Sequence, residues 1–255
     1  MDTLKRNTSR QLAVSLAASA FEVREAQRLR YRVFGEECGA RLAQASAGID
    51  EDEFDALCDH LLARDTGQDE VVGTYRILTS RKAREAGRFY SETEFDLGNL
   101  KPLMPSLVEV GRSCIHPDYR RGGVITLLWA GLAQYMLTGG YAHLMGCASI
   151  SLADGGSQAT ETYLSLRETC LSPGYWRVTP RRPYPIGHGR VVGKPILPPL
   201  IKGYLRLGAY VCGEPAFDEA FNTADLLMLL PISRMNPRYA RHFLGDACQV
   251  HAPAA

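Results

Sequence analysis

Between Leu107 and Leu132 the chain reads LVEVGRSCIHPDYRRGGVITLLWAGL, and few folds accept that order. Leu107–Ile115 is rich in apolar and β-branched residues and predicts a strand. His116-Pro117-Asp118-Tyr119 must turn, because Pro117 cannot extend a central strand. Arg120-Arg121-Gly122-Gly123 then opens a helix over 122–137, stopped by Gly139-Gly140. A helix start built of arginine and glycine leaves backbone N–H groups bare at the positive end of the helix dipole. Such a start suits a phosphate or pyrophosphate; the plainer alternative is a helix start with two solvated arginines.

The remaining elements alternate around this unit. Residues 11–18 predict a first strand, and 20–37 an amphipathic helix with Val23, Ala26, Leu29, Val33 and Phe34 on one side. Residues 38–59 read as an ordered loop. Strands follow over 60–64 and 71–78, joined by a turn, then a short helix over 80–86. After the central unit come a strand over 141–150, a helix over 158–166, a Pro-, Gly- and Arg-rich excursion over 172–200, a helix over 200–210 and an apolar strand over 224–231. The tail after 246 is expected to be loose. The pattern predicts an α/β (α+β) fold with one mixed central sheet flanked by helices. One domain over 1–255 is expected, with a core over 11–168 and a C-terminal extension over 169–245 that completes the sheet and offers a docking surface.

Composition excludes several classes. A hydrophobic share of 45% with 22% charged residues is that of a folded protein, and a net charge of +1 argues against bulk nucleic-acid binding. The 7 cysteines form no CxxC pair and match no common zinc spacing, so neither a metal nor a full disulfide framework is expected. Most read as small buried residues in a reducing compartment, with Cys114 the candidate if a thiol is catalytic. Residues 12–20 are too short and too polar for a signal peptide, and no run reaches the roughly 18 apolar residues of a membrane span. A Ser-His-Asp array and a GxSxG elbow are both missing.

Strand, HPDYR turn, Gly-rich start and helix resemble the acyl-donor motif of Gcn5-related N-acyltransferases (GNAT). The resemblance implies that Ile115, Arg120, Arg121, Gly122 and Gly123 hold the phosphate of the donor. Ile125 stands where that family usually has a small residue, which favours a donor presenting only a phosphopantetheine arm over whole coenzyme A. Leu29–Phe34, Asp52–Asp55, Tyr75-Arg76 and Glu109–Arg112 follow the order seen in acyl-homoserine lactone synthases, which use acyl carrier protein donors; a tryptophan usual there has no counterpart here. RYRVFGEE, FYSETEFDL, VEVGRSCIHPDYR and the C-terminal PPLIKGYLRLGAYV and PAFDEAFNTADLLMLLP together resemble the ornithine lipid synthases that make lyso-ornithine lipid, over about residues 11–245. That resemblance implies transfer of a 3-hydroxyacyl group from the 4'-phosphopantetheine arm of acyl carrier protein to the α-amine of ornithine. No bound cofactor is implied. The alternatives are the same chemistry on another amino acid (glutamine, glycine or tyrosine), an acyl-homoserine lactone-like synthase, and a non-catalytic module that docks carrier protein or membrane.

The reaction needs a base to take a proton from the acceptor ammonium. Glu109 is the first candidate; its alternative is a structural ion pair with Arg76 or Arg112. Strict alternation puts Glu109 and Arg112 on opposite faces of the strand, so a bulge at Gly111 is expected to bring them together. Asp52 and Asp55 either orient the acceptor or cap a turn. Arg30 or Arg76 is expected to bind the substrate carboxylate, with Phe34 and Ser113 beside it, and backbone N–H groups near Ser113 and Ile115 to hold the oxyanion. His116 more simply fixes the turn. Charge is also segregated: residues 50–70 hold nine acids and one arginine, whereas 169–213 hold Arg177, Arg181, Arg182, Arg190, Lys194, Lys202 and Arg206 and no acid. The first run suits a diamine, and the second an acidic carrier protein or an anionic membrane face. A lipid product implies a cytoplasmic enzyme peripheral to the inner membrane.

Overall fold

A computed structural model describes residues 11–121, 123–187, 196–236 and 238. The elements are β1 (Leu12–Leu16), α1 (Ala20–Arg30), β2 (Asp59–Asp65), β3 (Glu70–Thr79), α2 (Ser80–Glu85), β4 (Phe95–Asp96), β5 (Leu107–Ile115), α3 (Val124–Thr138), β6 (His143–Ser151), α4 (Ser157–Leu166), β7 (Thr179–Pro180), α5 (Pro199–Leu207), β8 (Tyr210–Val211), β9 (Ala216–Asp218) and β10 (Thr223–Pro231). The main sheet runs β1-β2-β3-β5-β6-β10-β8, with β9 also on β10, and β4 pairs with β7 apart from it. Strands β5 and β6 pair in parallel, and the other named strand pairs of the described residues are antiparallel.

Residue alternation divides the two faces. Leu61 and Ala63 of β2 and Val108 and Val110 of β5 pack with Val124, Leu128, Leu132 and Met136 of α3 and Ile201 and Tyr204 of α5. Leu62, between the first two, packs with Ala26 and Leu29 of α1 on the other face. Leu107 also faces that way, with Phe54, Phe89 and Phe95. The Ser19 hydroxyl caps α1 by accepting the Glu22 N–H. The chain then continues from α1 as a wider π-helical turn over Tyr31–Glu37, so the helix read over 20–37 is continuous but changes pitch where Phe34 and Glu37 reach the cavity described below.

Helix α5 ends at Leu207 rather than 210, where Gly208 adopts φ 105. In the 172–200 excursion, Trp176, Tyr184 and Ile186 are half-buried. Arg190, Lys194, Gly122 and the tail after 246 lie outside the described residues. Among those described, no helix is long and apolar enough to cross a membrane.

Candidate active site

Strands β5 and β6 pair only from Leu107↔His143 to Glu109↔Met145. Beyond that point β5 runs to Ile115 and β6 to Ser151 without pairing, while β3 and β10 continue to hold their outer edges. The close approach ends at Gly146, where any Cβ would collide with the Val110 carbonyl oxygen. A cavity of about 540 Å³ opens in this splay. Its lining comes from both faces of the sheet: Tyr75, Val110 and Tyr204 from one, Phe34, Tyr90 and Arg112 from the other.

The register of β3 against β5 slips between Thr74↔Cys114 and Arg76↔Gly111. Arg112 and Ser113 therefore oppose Tyr75 alone, and Arg112 takes φ 48, a left-handed conformation unusual for a non-glycine residue. The bulge expected at Gly111 is thus centred on the next residue. Its effect is to reverse the alternation. Arg112 now lies on the Glu109 face, between the rings of Tyr90 and Phe221 at 4.9 and 4.8 Å.

Arg112 closes a ring of ion pairs. Arg30 meets Asp55 at 2.8 Å and Asp50 at 2.9 Å; Arg76 meets Asp55 at 3.2 Å and Asp52 at 2.5 Å; Arg112 meets Asp52 and Asp50, each at 3.2 Å. Arg30 is fully buried and its fork is bidentate on Asp55. Burial works against the Asp55 anion, but Arg30 and then Arg76 overcome it and hold its carboxyl well below the usual range. Asp52 also accepts the Phe54 N–H at 2.9 Å. The expected roles of Arg30 and Arg76 on a substrate carboxylate, and of Asp52 and Asp55 on an amine, therefore meet side chains already paired with one another. Asp50, the first acid of the 50–70 run, is part of the same ring.

Glu109 is buried and lines the cavity. Its Oε2 accepts the Tyr90 N–H at 2.7 Å, and its Oε1 accepts the Ser91 N–H at 2.7 Å and the Ser91 hydroxyl. Burial raises its pKa, and these donors pull the other way. No ion pair joins Glu109 to Arg76 or Arg112 among the described residues; the carboxylate instead anchors the Tyr90–Thr93 turn. Ser113 lines the same cavity beside it.

At the donor end, Gly123 sits at φ 79 just before α3 and leaves the helix without a side-chain cap. Arg120 is not free: Glu37 takes its fork bidentately at 2.7 and 2.6 Å, and Arg120 Nε donates to the Ile115 carbonyl at 3.3 Å. Arg121 is exposed. His116 Nδ1 accepts the Asp118 N–H at 3.3 Å, which fixes the turn as expected. Cys114 is buried outside the cavity, and burial pushes its thiol up to about 12.

Sequence reasoning missed a second acidic group. Glu94, Asp218 and Asp225 come from the β4 turn, β9 and β10: Asp218 and Asp225 line the cavity, and a carboxylate oxygen of Glu94 lies within 4.8 Å of one from Asp225. Burial, Asp225 and Asp218 raise the Glu94 pKa well above the ordinary carboxylate range. Burial pushes Asp225 to about 6, although the Thr223 and Ser149 hydroxyls donate to it at 2.6 and 3.1 Å. The signal was present in TADLLMLLP: an acid inside an otherwise apolar, buried strand needs a partner or a task.

A family model for the acetyltransferase (GNAT) domain matches residues 29–130. Among solved structures, the AHL synthase LasI superposes with a TM-score of 0.53 at 14% identity, covering 92% of this chain and 96% of its own. FeeM, an N-acyl amino acid synthase from uncultured soil microbes, gives 0.54 at 12%, covering 91% and 98%. These two share the fold, which is GNAT-like. In sequence, the L-ornithine N(alpha)-acyltransferase of Brucella abortus (strain 2308) is 38% identical over 92% of this chain and 90% of its own length. That of Rhizobium meliloti (strain 1021) is 37% identical over 96% and 88%. At this identity and coverage, the chain belongs to the L-ornithine N(alpha)-acyltransferase family.

Proposed function

We propose that the protein transfers a 3-hydroxyacyl group from acyl carrier protein to the α-amine of L-ornithine, giving lyso-ornithine lipid. The observation that carries the reading is the cavity in the β5–β6 splay, which brings the buried Glu109 carboxylate, Asp218 and Asp225 into one site and reaches Glu37, the partner of Arg120 before the α3 start. Family membership supplies the acceptor.

The reaction is written as direct attack. Glu109, its pKa raised by burial, takes a proton from the α-ammonium. The free amine adds to the thioester carbonyl, backbone N–H groups at the Ser113 bulge hold the oxyanion, and the C–S bond breaks as the amide forms. The pantetheine thiol leaves on the carrier protein. The α3 start takes the single phosphate of the arm, with Arg120 released from Glu37 to meet it. Exposed Arg177, Arg181, Arg182, Lys202 and Arg206 offer positive charge to the acidic carrier. The same charge, with exposed Tyr175 and Phe21, supports peripheral attachment to an anionic cytoplasmic membrane face.

Incubation with 3-hydroxyacyl carrier protein and single amino acids, read by mass spectrometry, tests the proposal. N-acylornithine as the main product supports it; no product with any amine defeats it. Co-flotation with anionic vesicles at low salt tests the membrane claim, and protein left at the bottom of the gradient counts against it.

A further inference from the structure

Both carboxylate oxygens of Glu94 are shut off from solvent, no nitrogen or hydroxyl donor reaches either one, and the Cys147 thiol, a weak donor, is the one group that acts on them as a hydrogen bond. An unpaired buried carboxylate is among the costliest groups a protein can keep. Glu94 lines a cavity of about 520 Å³ that shares Tyr90, Arg112, Asp218 and Phe221 with the cavity in the splay. One acceptor atom each from Glu94, Cys147 and Asp225 lies within 4.8 Å of the others. Asp218 spends its Oδ1 on the Ala220 and Phe221 N–H groups, at 2.8 and 3.1 Å. Its charge adds to the same field. Arg112, Arg41 and Arg182 also line that cavity, but Arg112 is paired with Asp50 and Asp52 and the other two with Glu219, and no ion pair joins a cation to Glu94 or Asp225 among the described residues.

We propose that Glu94 and Asp225, with Asp218 at the rim, bind the side-chain ammonium of the diamino acid acceptor and so set the choice of ornithine. This rests on the N-acyltransferase reading above. The connection to the reacting centre runs through Ser91, whose hydroxyl donates to Glu109 and lies 3.4 Å from Cys147 Sγ. An acceptor with its distal nitrogen at Glu94 and Asp225 crosses Ser91 and Cys147 with its methylenes and presents its α-amine toward Glu109. An ammonium carries three donors, matching three carboxylates. A divalent metal matches less well, because burial raises the Cys147 thiol far above its ordinary value and the thiolate is the form that ligates. A site that leaves buried acceptors unpaired rejects an analogue lacking the matching group.

The test compares ornithine with norvaline, the same skeleton without the distal ammonium, at saturating 3-hydroxyacyl carrier protein. Wild type should favour ornithine in kcat/KM by about 100-fold or more. Glu94→Gln and Asp225→Asn should each cut that ratio by at least about tenfold, mainly through the KM for ornithine. Circular dichroism confirms the fold of each variant. An unchanged ratio in folded variants overturns the proposal. Calorimetric titration of ornithine into the unloaded protein separates the two readings. Ornithine binding that weakens in Glu94→Gln supports the pocket even if no acyl product ever forms, an outcome that defeats only the acyltransferase reading. Zinc that binds this cluster and resists displacement by ornithine overturns the pocket in favour of a metal site.

Discussion

Arg112 Nη2 lies 3.2 Å from Asp52 Oδ2, across 60 residues of sequence, and only the β5 bulge makes that meeting possible. Regular alternation from Glu109 would turn Arg112 into the α3 side of the sheet. One extra residue in β5 turns it instead into the Arg–Asp ring, so the ring and the bulge are one device. The bulge also leaves the Ser113 backbone without a register partner on β3.

Asp55 is the residue the ring can least lose. It takes Arg30 bidentately and Arg76 from the other side, and it is 4% exposed. Asp55→Asn leaves two buried guanidiniums short of an anion, and breaking such a pair costs about 3–5 kcal/mol. Asp52, half-buried, should cost less when changed to Asn. Urea denaturation of both variants checks the order; Asp55→Asn unfolding at the wild-type midpoint would show that the ring adds nothing.

The ring also sets the acid limb of stability. The folded Asp55 carboxyl titrates below its ordinary value of 3.8. Its stabilisation is therefore complete above 3.8 and is lost as pH falls through the lower folded value. The difference in urea midpoint between wild type and Asp55→Asn, which isolates this group from Asp225, should hold in mildly acidic buffer and shrink only below about pH 4. A steep loss of that difference between about pH 6 and 5 would contradict this.

Most of the frame was legible in the sequence because it depends on local pattern. The strand over Leu107–Ile115, the Pro117 turn and the glycine-opened helix each carry a local signal, and each forms. The bulge was legible as a conflict, since Glu109 and Arg112 could not share a pocket without one, but its position was not. Residue roles were less legible. Asp52, Asp55, Arg30 and Arg76 have the right chemistry to bind an amino acid, yet they neutralise one another, and pairing across 24 or 25 residues leaves no local trace. The acidic run at 50–70 suggested a diamine site; Asp50, Asp52 and Asp55 of that run are paired with arginines, and Glu94, Asp218 and Asp225 are brought together only by the order of strands.

Glu109 tests the chemistry. Gln keeps the acceptor for one of the Tyr90 and Ser91 donors but places an amide N–H against another and removes the base. Glu109→Gln should lower kcat by about 10²-fold or more, with a smaller change in the KM for ornithine. The rise of rate with pH that reports the base should vanish with it. A rate within twofold of wild type would remove Glu109 as base and leave it the anchor of the Tyr90–Thr93 turn.

Asp225 has the opposite linkage to Asp55. Its folded value of about 6 stands above the ordinary 3.8. Between these values the unfolded chain is ionised while the folded one keeps its proton, so the fold loses stability as pH rises through that window. The loss is on the order of 3 kcal/mol and persists at neutral pH. Asp225→Asn should therefore raise the melting temperature at neutral pH and have little effect near about pH 4, even as it impairs choice of ornithine. A variant that melts below wild type at neutral pH would mean that the Thr223 and Ser149 hydroxyls stabilise the anion more than burial penalises it.

Glu37 and Arg120 make a prediction of gain. Their bidentate pair holds the Arg120 fork away from any donor, and both side chains are well exposed, at 40% and 44%. A pair this exposed contributes about 0.2–1 kcal/mol, so freeing Arg120 costs the fold little. If the pantetheine phosphate displaces Glu37 on binding, Glu37→Gln should lower the KM for the acyl carrier protein donor by about two- to fivefold, the same free energy returned to binding. Arg120→Ala should raise that KM instead. Opposite signs in the two variants, measured at one salt concentration, assign Arg120 to the donor phosphate. Equal losses in both would mean that the pair serves to pin the end of the α1 extension against the Pro117 turn, with the phosphate held by the α3 start alone.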